Sequence, residues 1–371
     1  MTHVYLDHNA SAPLRPTARD AMVEAMRAGG NPSSIHGIGR ASRALVELAR
    51  RQIAARVGAR PSEVVFTSGG TEANSLALTG ARRSRLLVSA VEHDSVRRAV
   101  PGAEQIAVDR DGVLELADLE RRLAQPGEPA LVSVMLANNE TGVLQPVVEA
   151  ARLARRAGAL MHVDAVQALG KVPVDLHGLG VDYLSLSAHK IGGPAGVGAL
   201  VVRDGAPFLA DRLGGGQERG RRAGTENVVG IAGFGAASLA DFPVETLAVW
   251  RDKMESALTA LAPGAMVYGR AAPRLATTSC VGMPGVLAST QVMALDLAGI
   301  AVSAGAACSS GKVQRSAVLA AMGVGGGEAA EAIRVSLGWN TSEPDIERLI
   351  AAWRDLYIRL SHSDIPRPRA A

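Results

Sequence analysis

Residues 181–202 constrain this chain more than any other stretch. Two short apolar runs rich in β-formers flank a His189-Lys190 pair and a turn with glycine at 192, 193 and 196 and proline at 194. Runs of that length between turn residues read as two buried strands that meet at one place. Lys190 then falls just past the end of the first strand. Only four of the 39 basic residues are lysines (Lys171, Lys190, Lys253 and Lys312), which narrows the choice of an amine for covalent chemistry. A lysine that ends a buried strand beside glycines is desolvated, which disfavours its charged form and leaves an amine able to condense with a carbonyl. Pyridoxal phosphate is the cofactor that uses such an amine. Taken alone, the stretch is equally open to a lysine snorkelling from a strand end.

Strand-like and helical patterns alternate before and after this stretch. Residues 63–68 are strand-like, Gly69-Gly70 breaks the run, and Thr71 opens a helical pattern. A strand, a glycine pair and a helix start aim unpaired backbone donors and a hydroxyl at one spot, which suits a phosphate. The alternative is a plain turn capped by Thr71. There is no P-loop lysine and no G-x-G-x-x-G, so nucleotide-binding fingerprints are missing. A short strand at 86–89 precedes His93, an imidazole that either stacks on a flat ring or is a solvated loop residue. The apolar run 130–136 reads as a strand buried on both faces and ends in Asn138-Asn139-Glu140-Thr141-Gly142. Helical spacing over 146–157 and a strand at 159–163 follow, and that strand is capped by Asp164 with Gln167 close behind.

Repeats of this kind predict an α/β fold, a mainly parallel sheet with helices on both faces and ligands at the strands' C-terminal ends. Asn139, Asp164, Gln167 and Lys190 all fall at such ends. A carboxylate placed before a candidate Schiff-base lysine is what a pyridinium nitrogen requires. Residues 214–227 form a glycine-rich basic loop, read either as an exposed charged loop or as an anion-contacting, subunit-bridging segment. Cys308 lies in a small, polar, glycine-flanked stretch, unlike a structural thiol, which favours apolar runs. Cys280 reads as an inert strand residue. Arg334 sits in an apolar strand at 332–338, where it needs an anionic partner, either a substrate carboxylate or a structural acid. The final helix, opened by Ser342, Pro344 and Asp345, packs through Ile346, Leu349, Trp353 and Leu356.

Composition excludes several function classes. The 371 residues allow roughly two to three domains. A hydrophobic share of 47% with 20% charged residues is that of a folded globule. A net charge of +3 and 3% aromatics give no footprint for nucleic acid. Two cysteines make neither a disulfide framework nor a zinc site, so no metal is expected and a reducing cytoplasm is. The first residues lack a signal-peptide layout, and no uncharged apolar stretch reaches the ~18 residues of a membrane span.

Together these motifs resemble the bacterial cysteine desulfurases of the class V aminotransferase group, in order and spacing from Tyr5-Leu6-Asp7 to Arg334-Val335-Ser336-Leu337-Gly338. The resemblance implies a fold type I pyridoxal-phosphate enzyme. Its large cofactor-binding domain would span 15–250, and a smaller α+β domain, 1–14 with 251–371, would carry the catalytic cysteine loop. It implies that Lys190 holds the cofactor and that His93 stacks on its ring. Asp164 would partner the pyridine nitrogen and Gln167 the phenolic oxygen. Gly70, Thr71, Ser187 and His189 would contact the phosphate, with Thr225 supplied by the other subunit of a homodimer. Asn139 and Arg334 would be substrate-side groups, and Cys308 the nucleophile that takes sulfur from L-cysteine as a persulfide, leaving L-alanine. The sulfur would go to an iron-sulfur scaffold or another acceptor protein. A selenocysteine lyase or a class V aminotransferase would share the cofactor set, though an aminotransferase has no need of Cys308. The chain departs from the family pattern at Ser11-Ala12 and at Arg315-Ser316-Ala317, positions that bear on the nucleophile loop and its docking rather than on the cofactor.

Overall fold

The computed structural model describes residues 3–305 and 315–361, so Cys308 lies outside the described residues. In chain order the strands and first helices are β1 (Val4–Tyr5), α1 (Pro16–Ala28), α2 (Gly37–Arg56), β2 (Val64–Thr67), α3 (Gly70–Gly80), β3 (Arg85–Ser89), α4 (Asp94–Arg97), β4 (Glu104–Ile106), β5 (Ala130–Ser133), β6 (Leu160–Asp164), β7 (Tyr183–Ser187) and β8 (Gly198–Val202). The second half adds β9 (Met266–Val267), β10 (Thr278–Gly282), β11 (Ile300–Ala301), β12 (Ser303–Ala304) and β13 (Ala332–Ser336).

The large sheet has seven strands in the order β2-β8-β7-β6-β5-β3-β4. β4, β3, β5, β6 and β7 pair in parallel, while β8 runs antiparallel to both of its neighbours. β5, β7 and β8 are buried along their whole length, and β5 and β8 are accordingly near-continuous apolar runs, while β7 alternates leucine with the buried Ser185 and Ser187. The mainly parallel α/β fold expected from the sequence is therefore what forms. Two boundaries shift. The strand read over 130–136 ends at Ser133, and α3 starts at Gly70 with Gly69 as its cap, leaving Thr71 inside the first turn.

Small residues set the helix layer. Helix Val228–Ser238 packs on α1 and α2, and at Gly235 a Cβ would meet Ala49 Cα at 2.7 Å. Glycine there lets the two backbones approach closely. The turn 192–198 works similarly, because a Cβ on Gly198 would lie 2.6 Å from the backbone of Gly69. That contact sets the mouth of β8 against the start of α3.

A second, antiparallel sheet has the order β12-β13-β10-β9. The N-terminal segment joins the two sheets. β1 pairs in parallel with β11, Asp7 bridges Ser336 at the end of β13, and the Ala12 amide then donates to the His189 carbonyl at 2.8 Å beside β7. Val4 and Leu6 are buried and anchor this crossing. The path carries residues 7–12 over the C-terminal ends of the parallel strands.

The loop 214–227 is not simply an exposed charged segment. Glu218, with φ +47°, is buried and takes a bidentate contact from Arg50 (2.8 and 2.9 Å) and a bond from the Phe66 amide (2.9 Å). Arg222 donates to Glu72 at 2.8 Å, and Arg212 also pairs with it. Burial works against the charge of Glu72, but bonds from Arg222 and Ser68 outweigh it and hold the carboxyl down to about 2.

Candidate active site

A cavity of about 470 Å³ opens at the C-terminal ends of β5, β6 and β7, between the large sheet, the N-terminal crossing and β12–β13. Gly70, Thr71, His93, Asn139, Asp164, Gln167, Ser187, His189, Lys190 and Arg334 all line it. In the sequence all but Arg334 fall at or near a strand or helix end, and the sheet topology brings them to one side, with Arg334 reaching it from within β13. Thr225 does not line this cavity. It borders a separate hollow of about 150 Å³ near Ser68 and Arg222.

Lys190 sits in a single 3-10 turn directly after β7. Its Nζ donates to the Asn9 carbonyl at 2.6 Å and the Ala10 carbonyl at 2.9 Å. Burial first, then the nearby Arg334 cation, bring its pKa down to about 8. A usable share of neutral amine therefore exists near neutral pH. Burial likewise lowers His189 to about 4, with Lys190 adding to the effect, so that imidazole is neutral and its ring nitrogens are free of charge.

Asp164 ends β6, and both of its oxygens are held. Oδ1 accepts from the Val166 amide at 2.9 Å and Oδ2 from Asn74 Nδ2 at 2.7 Å. Asn74, on the cavity side of α3, also donates to Ser95 Oγ at 2.8 Å. Burial pushes the Glu92 carboxyl well above the usual range, and the nearby Asp164 adds to that shift. His93 caps α4 and turns its Nδ1 to Ser95, at 2.8 Å from Oγ and 3.1 Å from the amide.

Arg334 is buried in β13. Its Nη2 meets Asp7 Oδ1 at 2.8 Å and its Nη1 donates to the Asn139 carbonyl at 3.2 Å, while Nε is buried without a partner. The two readings of Arg334 thus coexist: a structural acid is present, and N–H groups of this cavity-lining guanidinium, Nε among them, have no partner among the described residues. Residues 303–304 line the same cavity and lead toward 306–314. On the far side of that stretch, Ser316 Oγ donates to the buried Glu140 at 2.5 Å.

Three contributors escaped sequence reasoning. They are Asn9, Asn74 and Lys171, none of which the sequence marks for a role. Lys171 is buried and donates to Asn9 Oδ1 at 3.1 Å and Gln167 Oε1 at 3.0 Å. Its spacing four residues after Gln167, on a chain with so few lysines, was the available signal.

Residues 4–349 match the family described as aminotransferase class-V. A cysteine desulfurase of Cereibacter sphaeroides is 46% identical over 367 residues, covering 94% of each chain. The solved NifS-like protein of Rickettsia africae superposes with a TM-score of 0.89 at 34% identity, over 96% of this chain and 99% of that one. The structure titled SspA in complex with cysteine gives 0.80 at 27% identity, over 91% and 99%. The chain belongs to the class-V aminotransferase family, in its cysteine desulfurase group.

Pyridoxal phosphate is the cofactor that this membership brings, and the cavity suits it. An amine with a depressed pKa, a carboxylate fixed at both oxygens and the N-terminus of the eleven-residue α3 face one space. Ser187 Oγ, of a cavity-lining residue, is buried with no partner among the described residues, an orphan hydroxyl for a phosphate oxygen to satisfy.

Proposed function

We propose that this chain is a homodimeric, cytoplasmic cysteine desulfurase that converts L-cysteine to L-alanine and passes the sulfur, through Cys308, to an acceptor protein such as an iron-sulfur scaffold. One observation carries the reading: the amine of Lys190, the carboxylate of Asp164 and the guanidinium of Arg334 face a single cavity at the ends of parallel strands. Relatives over nearly the whole length carry the same name, and the solved SspA holds cysteine. The position of Thr225 outside its own chain's cavity, and the exposure of Ile35 and Leu213, support a second subunit. The two sheets, with strands within 64–202 and 266–336, support a division into 15–250 and 1–14 with 251–371.

Lys190 would hold pyridoxal phosphate, with Asp164 for the ring nitrogen, Gln167 for the phenolic oxygen and His93 for the ring. Gly70, Thr71, Ser187 and His189 would take the phosphate, with Thr225 of the second subunit. When bound, that group withdraws electrons from the amino acid, which makes its Cα proton acidic and its sulfur electrophilic. Arg334 orients the substrate carboxylate beside Asn139. The Lys190 amine, with its lowered pKa, would take the Cα proton. The Cys308 thiolate attacks the substrate sulfur, so that an S–S bond forms and the C–S pair stays with carbon, which is protonated to give alanine. A free thiol ionises near ~8.5, so a proton acceptor helps at neutral pH. His93, whose Nδ1 is tied to Ser95, offers its other nitrogen.

The test is alanine formation from L-cysteine by reconstituted protein, with sulfide release in the presence of a dithiol reductant, compared with Cys308→Ala. Sulfur release that is lost with Cys308 supports the proposal. Release unchanged in the variant would defeat it, formation of the 2-oxo acid without alanine would favour the aminotransferase alternative, and a marked preference for selenocysteine would favour the lyase.

A further inference from the structure

We infer that Lys171 is a positioning residue that fixes the amide orientation of Gln167, so that the cavity is offered an N–H donor and not a carbonyl. The inference rests on reading the cavity as a pyridoxal-phosphate site. Lys171 is buried, and among the described residues no carboxylate stands within ion-pair distance of it. Its contacts are two amide oxygens, Gln167 Oε1 at 3.0 Å and Asn9 Oδ1 at 3.1 Å, and the Phe242 ring, whose centroid is 5.9 Å away. The charged and titratable groups that act on it are Lys190 and Arg334, and it in turn acts on His8. A buried lysine without a counter-charge is unfavourable for stability, and a methionine would fill the same space at less cost. Two of the chain's four lysines nevertheless lie at this one site.

The chemistry of the contact explains what such a residue does. A glutamine amide can turn either its oxygen or its nitrogen to a neighbour, with nearly the same shape. An ammonium only donates, and even a neutral amine keeps two N–H bonds, so the oxygens of Gln167 and Asn9 face Lys171 in either protonation state. The nitrogens must then face away. Gln167 Nε2 points to the Asn9 carbonyl at 2.9 Å, the same carbonyl that receives Lys190. Asn9 Nδ2 donates to Thr278 Oγ1 at 2.9 Å and to the Asn139 carbonyl at 3.2 Å. One buried amine thus sets two amides on the cavity wall, and an acceptor oxygen on a ligand at Gln167 meets a donor.

The readout is the pH midpoint of the bound cofactor's visible absorbance band in the holoenzyme. Lys171→Met removes a nearby cation and frees the Gln167 amide, and both changes favour retention of the proton on the Lys190 linkage. The midpoint is expected to rise by about one pH unit or more. Gln167→Leu should also raise it, and the double variant should shift it by less than the sum, because the two residues act through one donor. An unshifted Lys171→Met midpoint, or shifts that simply add, overturns the inference. Neutron diffraction of the unmodified holoenzyme tests it without any variant: deuterons on the Gln167 atom facing Lys171 also overturn it. A wild-type protein that develops no visible band with pyridoxal phosphate defeats the underlying reading of the cavity instead.

Discussion

Replacing Asn74 by leucine isolates the support of Asp164 from the carboxylate itself. Asn74 Nδ2 gives Asp164 one of its two hydrogen bonds, at 2.7 Å in a buried setting, and the other comes from the Val166 amide. A hydrogen bond to a charged group is worth about 1.5–3 kcal/mol, and leucine fills most of the volume without restoring it. If that loss appears in full in the barrier, alanine formation at saturating L-cysteine falls roughly 10- to 100-fold, at ~1.4 kcal/mol per factor of ten. Ser95 keeps its contact with His93, so the ring-facing imidazole stays in place. Asn74→Asp should be worse, since it sets a further carboxylate against Asp164, whose charge already helps to push the Glu92 carboxyl up. The assay is the initial rate of alanine formation by holoenzyme, with cofactor content measured on the same sample. An Asn74→Leu variant with full cofactor and a wild-type rate would refute the argument that Asp164 depends on its helix partner.

Three further outcomes follow from the geometry. Lys190→Ala should abolish alanine formation and the pH-dependent visible band while leaving the thermal unfolding of the cofactor-free protein close to wild type, and a variant that still turns over would remove Lys190 from the chemistry. His162 is buried between Ser133 and Ser185, at 2.8 and 2.9 Å, and burial lowers its pKa from 6.5 to about 3. The unfolded chain therefore binds this proton first, so stability is whole above pH 6.5 and falls by up to ~4–5 kcal/mol as pH drops toward 3. His162→Gln should flatten that part of an acid-unfolding profile, and an unchanged slope would assign the acid sensitivity to other groups. Gly338→Ala should destabilise the protein by about 1–3 kcal/mol in urea melts, because the new methyl overlaps the buried His8 ring; a neutral result would show that the N-terminal crossing yields easily.

The sequence and the structure agree most where local pattern and chemistry coincide. Asp164 and Lys190 end apolar runs, and a βαβ rhythm sends such ends to one edge of a sheet, so their meeting was legible before any coordinates. Arg334 was legible as a buried cation in want of an anion, but not as the partner of Asp7, because that pair joins residues 327 positions apart through the pairing of β1, β11 and β13. Asn9 reaches the cavity by the same long route. Asn74 and Lys171 were hidden for another reason: each sits in a helical or turn-like stretch where an exposed polar side chain is the ordinary expectation, and only tertiary packing turns it inward. Glu218 shows the limit from the other side. A loop dense in charge and glycine reads as solvated, yet its Glu218 closes on Arg50 and the β2 backbone, a pair whose disruption would cost about 3–5 kcal/mol.

The central claim is that this cavity takes sulfur from cysteine and hands it to the chain's own thiol. Mass spectrometry of the reconstituted protein after a brief incubation with L-cysteine tests it most directly. The account predicts one added sulfur atom on the peptide that carries Cys308, absent when Lys190 is replaced by alanine. Alanine production with no sulfur on that peptide would contradict it.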